Sequence, residues 1–137
     1  MKTWSLLYGL IWVAFAQILI GVIPALQFLI AYGIHPLVGV LVLVLAYLAY
    51  SRVRSSGCPD RIKRITKTTF ILAVFQGILG VVLYASFYVN LGATVVAVID
   101  FVHVANALAI ITQASSSATG YDMWEEKEFE APQTPAT

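Results

Sequence analysis

The chain is poor in charged residues. Only 11% of its 137 residues are charged, whereas 60% are hydrophobic, and the formal net charge is +1. So few charges cannot provide a polar shell around a hydrophobic core, which excludes a soluble globular domain and indicates an integral membrane protein in a lipid bilayer. A nearly neutral chain without a basic face also excludes a nucleic-acid partner.

Cysteine and histidine are scarce as well. Cys58 is the single cysteine, so an internal disulfide is excluded and a free thiol is predicted. His35 and His103 are the two histidines. Without further cysteines or carboxylates beside them, they leave a zinc or copper site short of ligands. The chain also lacks a glycine-rich phosphate loop and the nucleophile, base and acid of a hydrolase.

Four apolar runs are long enough to cross a bilayer, which takes about 20 residues of helix. They cover residues 4–23, 26–50, 68–88 and 93–111. The runs lack the alternation of polar and apolar residues that a membrane barrel requires. We therefore predict an all-α transmembrane bundle of four helices, arranged as two helical hairpins within residues 1–114.

Charge gives the predicted orientation. Residues 51–67 hold six of the eight basic residues, and the turns on the opposite side of the membrane hold none. The positive-inside rule places this loop and both termini on the cytoplasmic side of the cell membrane. Residues 115–137 are predicted to form a polar, acidic cytoplasmic tail. From Gly120 onward it is expected to be too polar to pack, and to be either disordered or a docking segment for a partner.

The two predicted hairpins share a pattern of polar and small residues. The first contains Gln17 with Gly21 and His35 with Gly39; the second contains Gln76 with Gly80 and His103 with Ala107. The members of each pair are four residues apart, and at about 3.6 residues per turn they share a helix face. We interpret the pattern as an internal repeat whose small residues let a flat ligand or a neighbouring helix come close.

Both histidines lie in apolar runs, where an ionisable side chain is costly and functional by default. Counted at about 1.5 Å per residue from the outer ends of their spans, both lie about 14 Å deep. Two imidazoles at one level on two helices suit axial ligation of a heme iron. The predicted site comprises His35 and His103 as iron ligands, with Gln17, Gln76, Gly39 and Gly80 beside the cofactor. Simple packing, with the histidines and glutamines as hydrogen-bonding contacts between helices, remains the alternative.

Asp100 lies three residues before His103 and therefore on nearly the same helix face. It is predicted to accept a hydrogen bond from the imidazole, as carboxylates beside ligating histidines do. Two other roles remain open, pairing with a partner chain and carrying a proton. His35 has Tyr32 at the corresponding position, where a hydroxyl replaces the acid.

The pattern of two hairpins, each with Gln-x-x-x-Gly on its first helix and a histidine on its second, resembles the heme A synthase family over most of residues 12–112. The resemblance implies a four-helix unit like the half-length archaeal members, a heme b between His35 and His103, and Gln76 and Gly80 on the third helix. It further implies an oxidoreductase that oxidises a heme methyl group, with Asp100 as the candidate catalytic residue, and supplies heme A to terminal oxidases.

The sequence departs from that family at the first histidine. Family members typically have a glutamate three residues before it and an arginine after it, where this chain has Tyr32 and Pro36. Two alternatives therefore stay open, a non-catalytic b-type cytochrome and an accessory subunit of a larger respiratory or oxygenase complex in the membrane. A unit of this size is also expected to pair with itself or with other membrane subunits.

Overall fold

The computed structural model describes residues 2–31 and 33–130 of the chain. In chain order its elements are α1 (Thr3–Val22), a 3-10 turn (Pro24–Leu26), α2 (Phe28–Ala31), α3 (Ile34–Ser55), α4 (Asp60–Ala85) and α5 (Ala93–Glu130). No strand occurs within these residues. Helices α1, α3, α4 and α5 are each long and apolar enough to cross a membrane. The predicted all-α bundle of a multi-pass membrane protein is confirmed.

The four long helices pack as a square. Helix α1 contacts α3 and α5, and α4 contacts the same two helices. Helices α3 and α5, which carry the histidines, therefore lie diagonally opposite each other. We name the two ends of the bundle for use below. The basic end contains the connection between α3 and α4 at residues 56–59, and the histidine end contains residues 23–33 and 86–92.

The half of the bundle nearest the basic end is closely packed. Its buried side chains form two contiguous clusters, in which residues from α1, α3, α4 and α5 meet. Many are small, so the helices approach closely, as is usual in membrane bundles. Hydroxyl groups bridge two helices here, with Thr66 Oγ1 donating to Ser117 Oγ at 3.2 Å. The small buried residues are Ala14, Ala46, Ala49, Ala73, Ala114 and Ala118.

Burial stops abruptly halfway along the bundle. The last fully buried side chains toward the histidine end are Ala14 on α1, Val42 on α3, Ala73 on α4 and Asn106 on α5. Beyond them, no side chain in the described parts of these helices is fully buried. The half toward the histidine end is therefore hollow compared with the half toward the basic end, and it contains both histidines.

The first hairpin differs from the predicted continuous helix over residues 26–50. Gly33 has φ 73°, a left-handed conformation in which the helix begins anew at Ile34. Pro36 falls in the first turn of α3, where its missing N–H costs no helical hydrogen bond. His35 is thus the second residue of α3. The prediction that it lies about 14 Å along an unbroken helix is wrong.

Helix α5 is longer than the predicted span, with 38 residues. Tyr121 is only 5% exposed and packs in the same cluster as Leu7 and Cys58. The expectation that the chain is too polar to pack from Gly120 onward is therefore wrong at this point, because apolar side chains recur on the inner face of the helix. Residues 131–137 of the predicted tail, and Tyr32, lie outside the described residues.

Candidate functional site

A cavity of about 580 Å³ lies between the helices in the half of the bundle toward the histidine end. Its volume falls within the range of about 300–1,000 Å³ that is usual for ligand and cofactor sites. All four long helices contribute to the wall, which is mostly apolar. The polar side chains that line it include Gln17, His35, Gln76, Tyr84, Asp100 and His103.

The two imidazole rings lie next to each other in this cavity. The ring centres of His35 and His103 are 6.4 Å apart and their planes are inclined by 47°. Both residues are half-buried. Because α3 and α5 are diagonal partners, this approach spans the centre of the bundle. The prediction that the two histidines face each other is confirmed, even though His35 reaches that level from the start of a helix.

Each imidazole packs against a glycine of the other helix in its own hairpin. A Cβ added at Gly21 would lie 3.3 Å from His35 Cε1, and one added at Gly80 would lie 3.4 Å from His103 Cε1. Both glycines also line the cavity. The predicted cofactor site included Gly80 but not Gly21, although Gly21 belongs to the same Gln-x-x-x-Gly pattern. The repeat therefore provides an equivalent place for each ring.

The two glutamines make different hydrogen bonds. Gln17 Nε2 donates to the carbonyl oxygen of His35 at 2.8 Å, which ties α1 to the first turn of α3. Gln76 Oε1 accepts from Asn106 Nδ2 at 2.7 Å. The same Asn106 nitrogen lies 3.0 Å from the carbonyl oxygen of Leu72, so an amide network ties α4 to α5. Both glutamines hold the histidine-bearing helices in place.

Gly39 makes room for the protein rather than for a ligand. A Cβ at Gly39 would lie 3.2 Å from Gln17 Nε2, and Gly39 does not line the cavity, whereas its repeat equivalent Ala107 does. The predicted place of Gly39 beside a cofactor stays a prediction. Sequence reasoning also missed Asn106, whose signal is a carboxamide three residues after His103 in an apolar run.

Several buried polar atoms at the site have no hydrogen-bond partner among the described residues. They are Gln17 Oε1, His35 Nδ1 and His103 Nδ1. An unpaired buried polar atom costs about 1–3 kcal/mol, so native proteins usually satisfy such atoms with protein, water or a ligand. In both histidines only Nδ1 belongs to this set of buried unpaired atoms, and the second ring nitrogen, Nε2, does not. The site therefore has polar groups available to a bound molecule.

Asp100 lines the cavity with an exposed side chain. Its predicted hydrogen bond to the imidazole is not seen, because His103 Nδ1 has no partner in the described part of the chain and no hydrogen bond joins the two side chains. Asp100 is the single carboxylate among the described residues that line the cavity. Its predicted roles in pairing with a partner chain or carrying a proton stay predictions.

The described residues contain no group of three or more His, Cys, Asp or Glu side chains that could hold a metal ion. No protein-family model, curated protein or solved structure matches this chain. The site is therefore interpreted from its own geometry and chemistry.

Proposed function

We propose that this protein binds a heme in the cavity, with the imidazoles of His35 and His103 as the axial ligands of the iron. The separation of the rings is the observation that supports this most directly. A metal–nitrogen bond is about 2 Å long, and the centre of an imidazole with ring bonds of about 1.35 Å lies about 1.15 Å beyond the nitrogen. Two imidazoles bound on opposite sides of one iron would therefore have ring centres about 6.3 Å apart. The observed separation is 6.4 Å.

The inclination of the rings is compatible with this arrangement. Each imidazole can rotate about its bond to the iron without changing the bond length, so an angle of 47° between the ring planes requires no adjustment of the distance. The cavity volume of about 580 Å³ and its largely apolar wall also suit a flat macrocycle. In both imidazoles Nε2 is not among the buried unpaired atoms, so it is the ring nitrogen available to an iron.

The proposed cofactor is a heme b, which the protein holds without thioether bonds. A c-type heme requires a Cys-x-x-Cys-His motif, and the single cysteine of this chain, Cys58, is buried at the basic end of the bundle. The candidate cavity lies at the other end. The two histidines are therefore the attachment points that the chain offers.

For the reaction, we propose the methyl oxidation that the resemblance to heme A synthases implies. The heme held by His35 and His103 would be the substrate, an external oxidant would take up the electrons removed from its methyl group, and Asp100 would accept a proton released in the same step. The second candidate is a b-type cytochrome that carries electrons between a quinol and a membrane complex. It is favoured by the position of the two imidazoles, which would occupy both axial sites of the iron and leave none open.

We further propose that the basic end lies in the cytoplasm, which places the histidine cavity in the outer half of the cell membrane. The enrichment of basic residues at that end supports this orientation. Pairing with a second copy or with another membrane subunit is part of the same proposal, because the eight-span members of the family that the chain resembles pair two four-helix halves.

The absorption spectrum of the purified protein tests heme binding. With heme supplied during expression, we expect a Soret band and the sharp visible bands of a reduced bis-histidine heme. His35→Ala and His103→Ala should each lose this spectrum, and added imidazole should restore it, because a free imidazole can occupy the vacated ligand position. A colourless wild-type protein, or a His103→Ala spectrum identical to wild type, contradicts the proposal.

Conversion of heme O to heme A separates the candidate reactions. Production of heme A by the wild-type protein, lost in Asp100→Asn with the spectrum retained, supports the synthase. Red protein that makes no heme A but is reduced by a quinol supports the electron carrier. Colourless protein that copurifies with an intact respiratory or oxygenase complex would instead identify an accessory subunit.

A further inference from the structure

An open surface groove of about 550 Å³ lies at the basic end between α3 and α4. We call it the basic groove, and its lining residues are Tyr50, Arg54, Asp60, Lys63, Arg64 and Lys67. Four of them are cationic and one is anionic, so the formal charge of the lining is 4 − 1 = +3. The proposed heme site does not use this groove.

The positive charge of the groove is poorly neutralised by the protein. Lys63 Nζ lies 3.7 Å from Asp60 Oδ1, and the Asp60 side chain is 92% exposed, so this is a solvent-screened pair of small energy. In the described part of the chain, the other three cations have no carboxylate within ion-pair distance. Like charges held around one concave space repel each other, and an anion bound among them relieves that repulsion.

An aromatic surface adjoins the groove on its membrane side. Tyr50 and Phe70 are stacked, with ring centres 5.8 Å apart and planes inclined by 3°. Tyr47 also packs against Phe70, at 5.7 Å. Aromatic rings of this kind are favoured where the hydrocarbon core meets the headgroups. Here they join α3 and α4 just below the cations.

The distance from aromatic to cationic residues matches the thickness of a lipid headgroup layer. Phe70 follows Lys67 by three residues and Tyr50 precedes Arg54 by four, so each separation is close to one helical turn, or about 5.4 Å. The headgroup layer on each side of a bilayer is about 5–8 Å thick, from the difference between total and hydrocarbon thickness. If the rings lie at the edge of the hydrocarbon, the cations lie at the level of lipid phosphates.

We propose that the basic groove binds the phosphate of an anionic phospholipid. Arg54 and Arg64 can each donate two hydrogen bonds to phosphate oxygens, while Lys63 and Lys67 add positive charge. The acyl chains would run along the apolar side chains that continue the same face of α4, namely Ile71 and Val74, which are 53% and 39% exposed. This continuity favours a lipid over a soluble phosphate compound, which would gain nothing from an apolar surface.

Lipid binding by two charge-matched variants tests the proposal. Arg64→Gln/Lys67→Gln removes two cations that line the groove, and the control Arg52→Gln/Arg61→Gln removes two exposed arginines of the same region that do not line it. The detergent-purified full chain is stripped of lipid and titrated with phosphatidylglycerol or phosphatidylcholine, and lipid adducts are counted by native mass spectrometry. Wild type and control should prefer phosphatidylglycerol, and the groove variant should lose about tenfold of that preference.

Equal loss of preference in the groove variant and the control would overturn the proposal, because it would indicate general surface charge rather than a site. Displacement of bound phosphatidylglycerol by a similar concentration of soluble glycerol phosphate would also overturn it, because the groove would then bind a soluble phosphate compound. Arg54→Gln, which changes one side chain on the other wall, carries the same expectation if the double variant does not fold. Heme absorbance should be unchanged in all variants, so this result is independent of the proposed heme site.

Discussion

Gly21 and Gly80 determine how closely the histidines can approach the helices beside them. In both hairpins the ring atom Cε1 lies 3.3 to 3.4 Å from the place where a glycine would carry Cβ. Even an alanine at Gly21 would make a contact tighter than ordinary van der Waals packing. A larger side chain at either position must therefore turn the ring toward the opposite imidazole and change the separation between them.

Valine substitutions at these glycines should impair heme binding. We expect Gly21→Val and Gly80→Val each to retain less than about half of the heme of the wild type, because an off-rotamer imidazole costs about 0.5–1.5 kcal/mol and no longer faces its partner. The ratio of Soret absorbance to protein absorbance measures the loss. It should be accompanied by a shift of the visible bands toward a high-spin spectrum.

Gly9 and Gly77 provide matched controls on the same two helices. Apart from the helix's own backbone and the neighbouring residues, no atom lies within 4 Å of a Cβ built at either position. Gly77 and Gly80 both lie inside α4, so a change to valine has a similar intrinsic effect on helix propensity at these two positions. Gly9→Val and Gly77→Val should keep wild-type heme content. If they lose as much heme as Gly21→Val and Gly80→Val, the glycines act through the helix backbone and not through the imidazoles.

The pairing of the histidines could be predicted from the sequence because both hairpins repeat one pattern. Glutamine and glycine share a face of the first helix, Gln17 with Gly21 and Gln76 with Gly80, and a histidine follows on the second helix. The partners of the polar groups could not be predicted. Gln17 and Gln76 occupy equivalent positions, yet the first contacts a backbone carbonyl and the second contacts Asn106. That difference depends on where α3 begins, which no regular period reveals.

At the scale of helices, α3 and α5 depart from the predicted spans for different reasons. Hydropathy over 26–50 gives no sign of the break at Gly33, because the residues on both sides are equally suited to lipid. The local signal is Gly33 followed by Pro36, which is typical of a helix end and a new helix start. Conversely, the polar composition after 115 conceals a buried stripe in α5. Ser117, Ala118 and Tyr121 are buried among α1, α4 and the α3–α4 connection. Tyr121 follows Ala118 by three residues and Ser117 by four, which is the spacing of one helix face.

Tyr121 should therefore contribute strongly to the stability of the bundle. We expect Tyr121→Ala to lower the free energy of unfolding by about 3 kcal/mol, the size usual for removing a buried aromatic side chain. Met123→Ala on the same turn is the control, since Met123 is 54% exposed and should change stability by less than about 0.5 kcal/mol. Denaturant unfolding in detergent, followed by circular dichroism, measures both. Equal effects would show that this part of α5 is not packed against the bundle.

At the scale of the whole molecule, the bundle divides into a packed half and a hollow half. The packed half includes the basic end, the single cysteine and the buried part of α5, so it can hold four helices together without a cofactor. The hollow half contains the ionisable groups that would be costly in lipid. Such a division lets the hollow half exchange a ligand while the packed half keeps the helices in register.

The distribution of charge predicts which half of the bundle lies on the cytoplasmic side of the membrane. Six of the eight basic residues lie in 51–67, at the basic end, so we expect that end in the cytoplasm and the connection between α4 and α5 outside. Cys58 is 2% exposed and can be replaced by alanine to give a cysteine-free background. Two exposed positions, Ser55 and Val89, then report on opposite ends of the bundle.

A membrane-impermeant maleimide should distinguish the two ends in spheroplasts. In the Cys58→Ala background, Val89→Cys should be labelled in intact spheroplasts, because residue 89 lies in the outer connection. Ser55→Cys should be labelled only after the membrane is permeabilised. Both should react equally in detergent, which controls for local reactivity. The reverse pattern would place the histidine cavity in the cytoplasmic half of the bilayer, and a proposed heme would then exchange electrons with partners on the inner side.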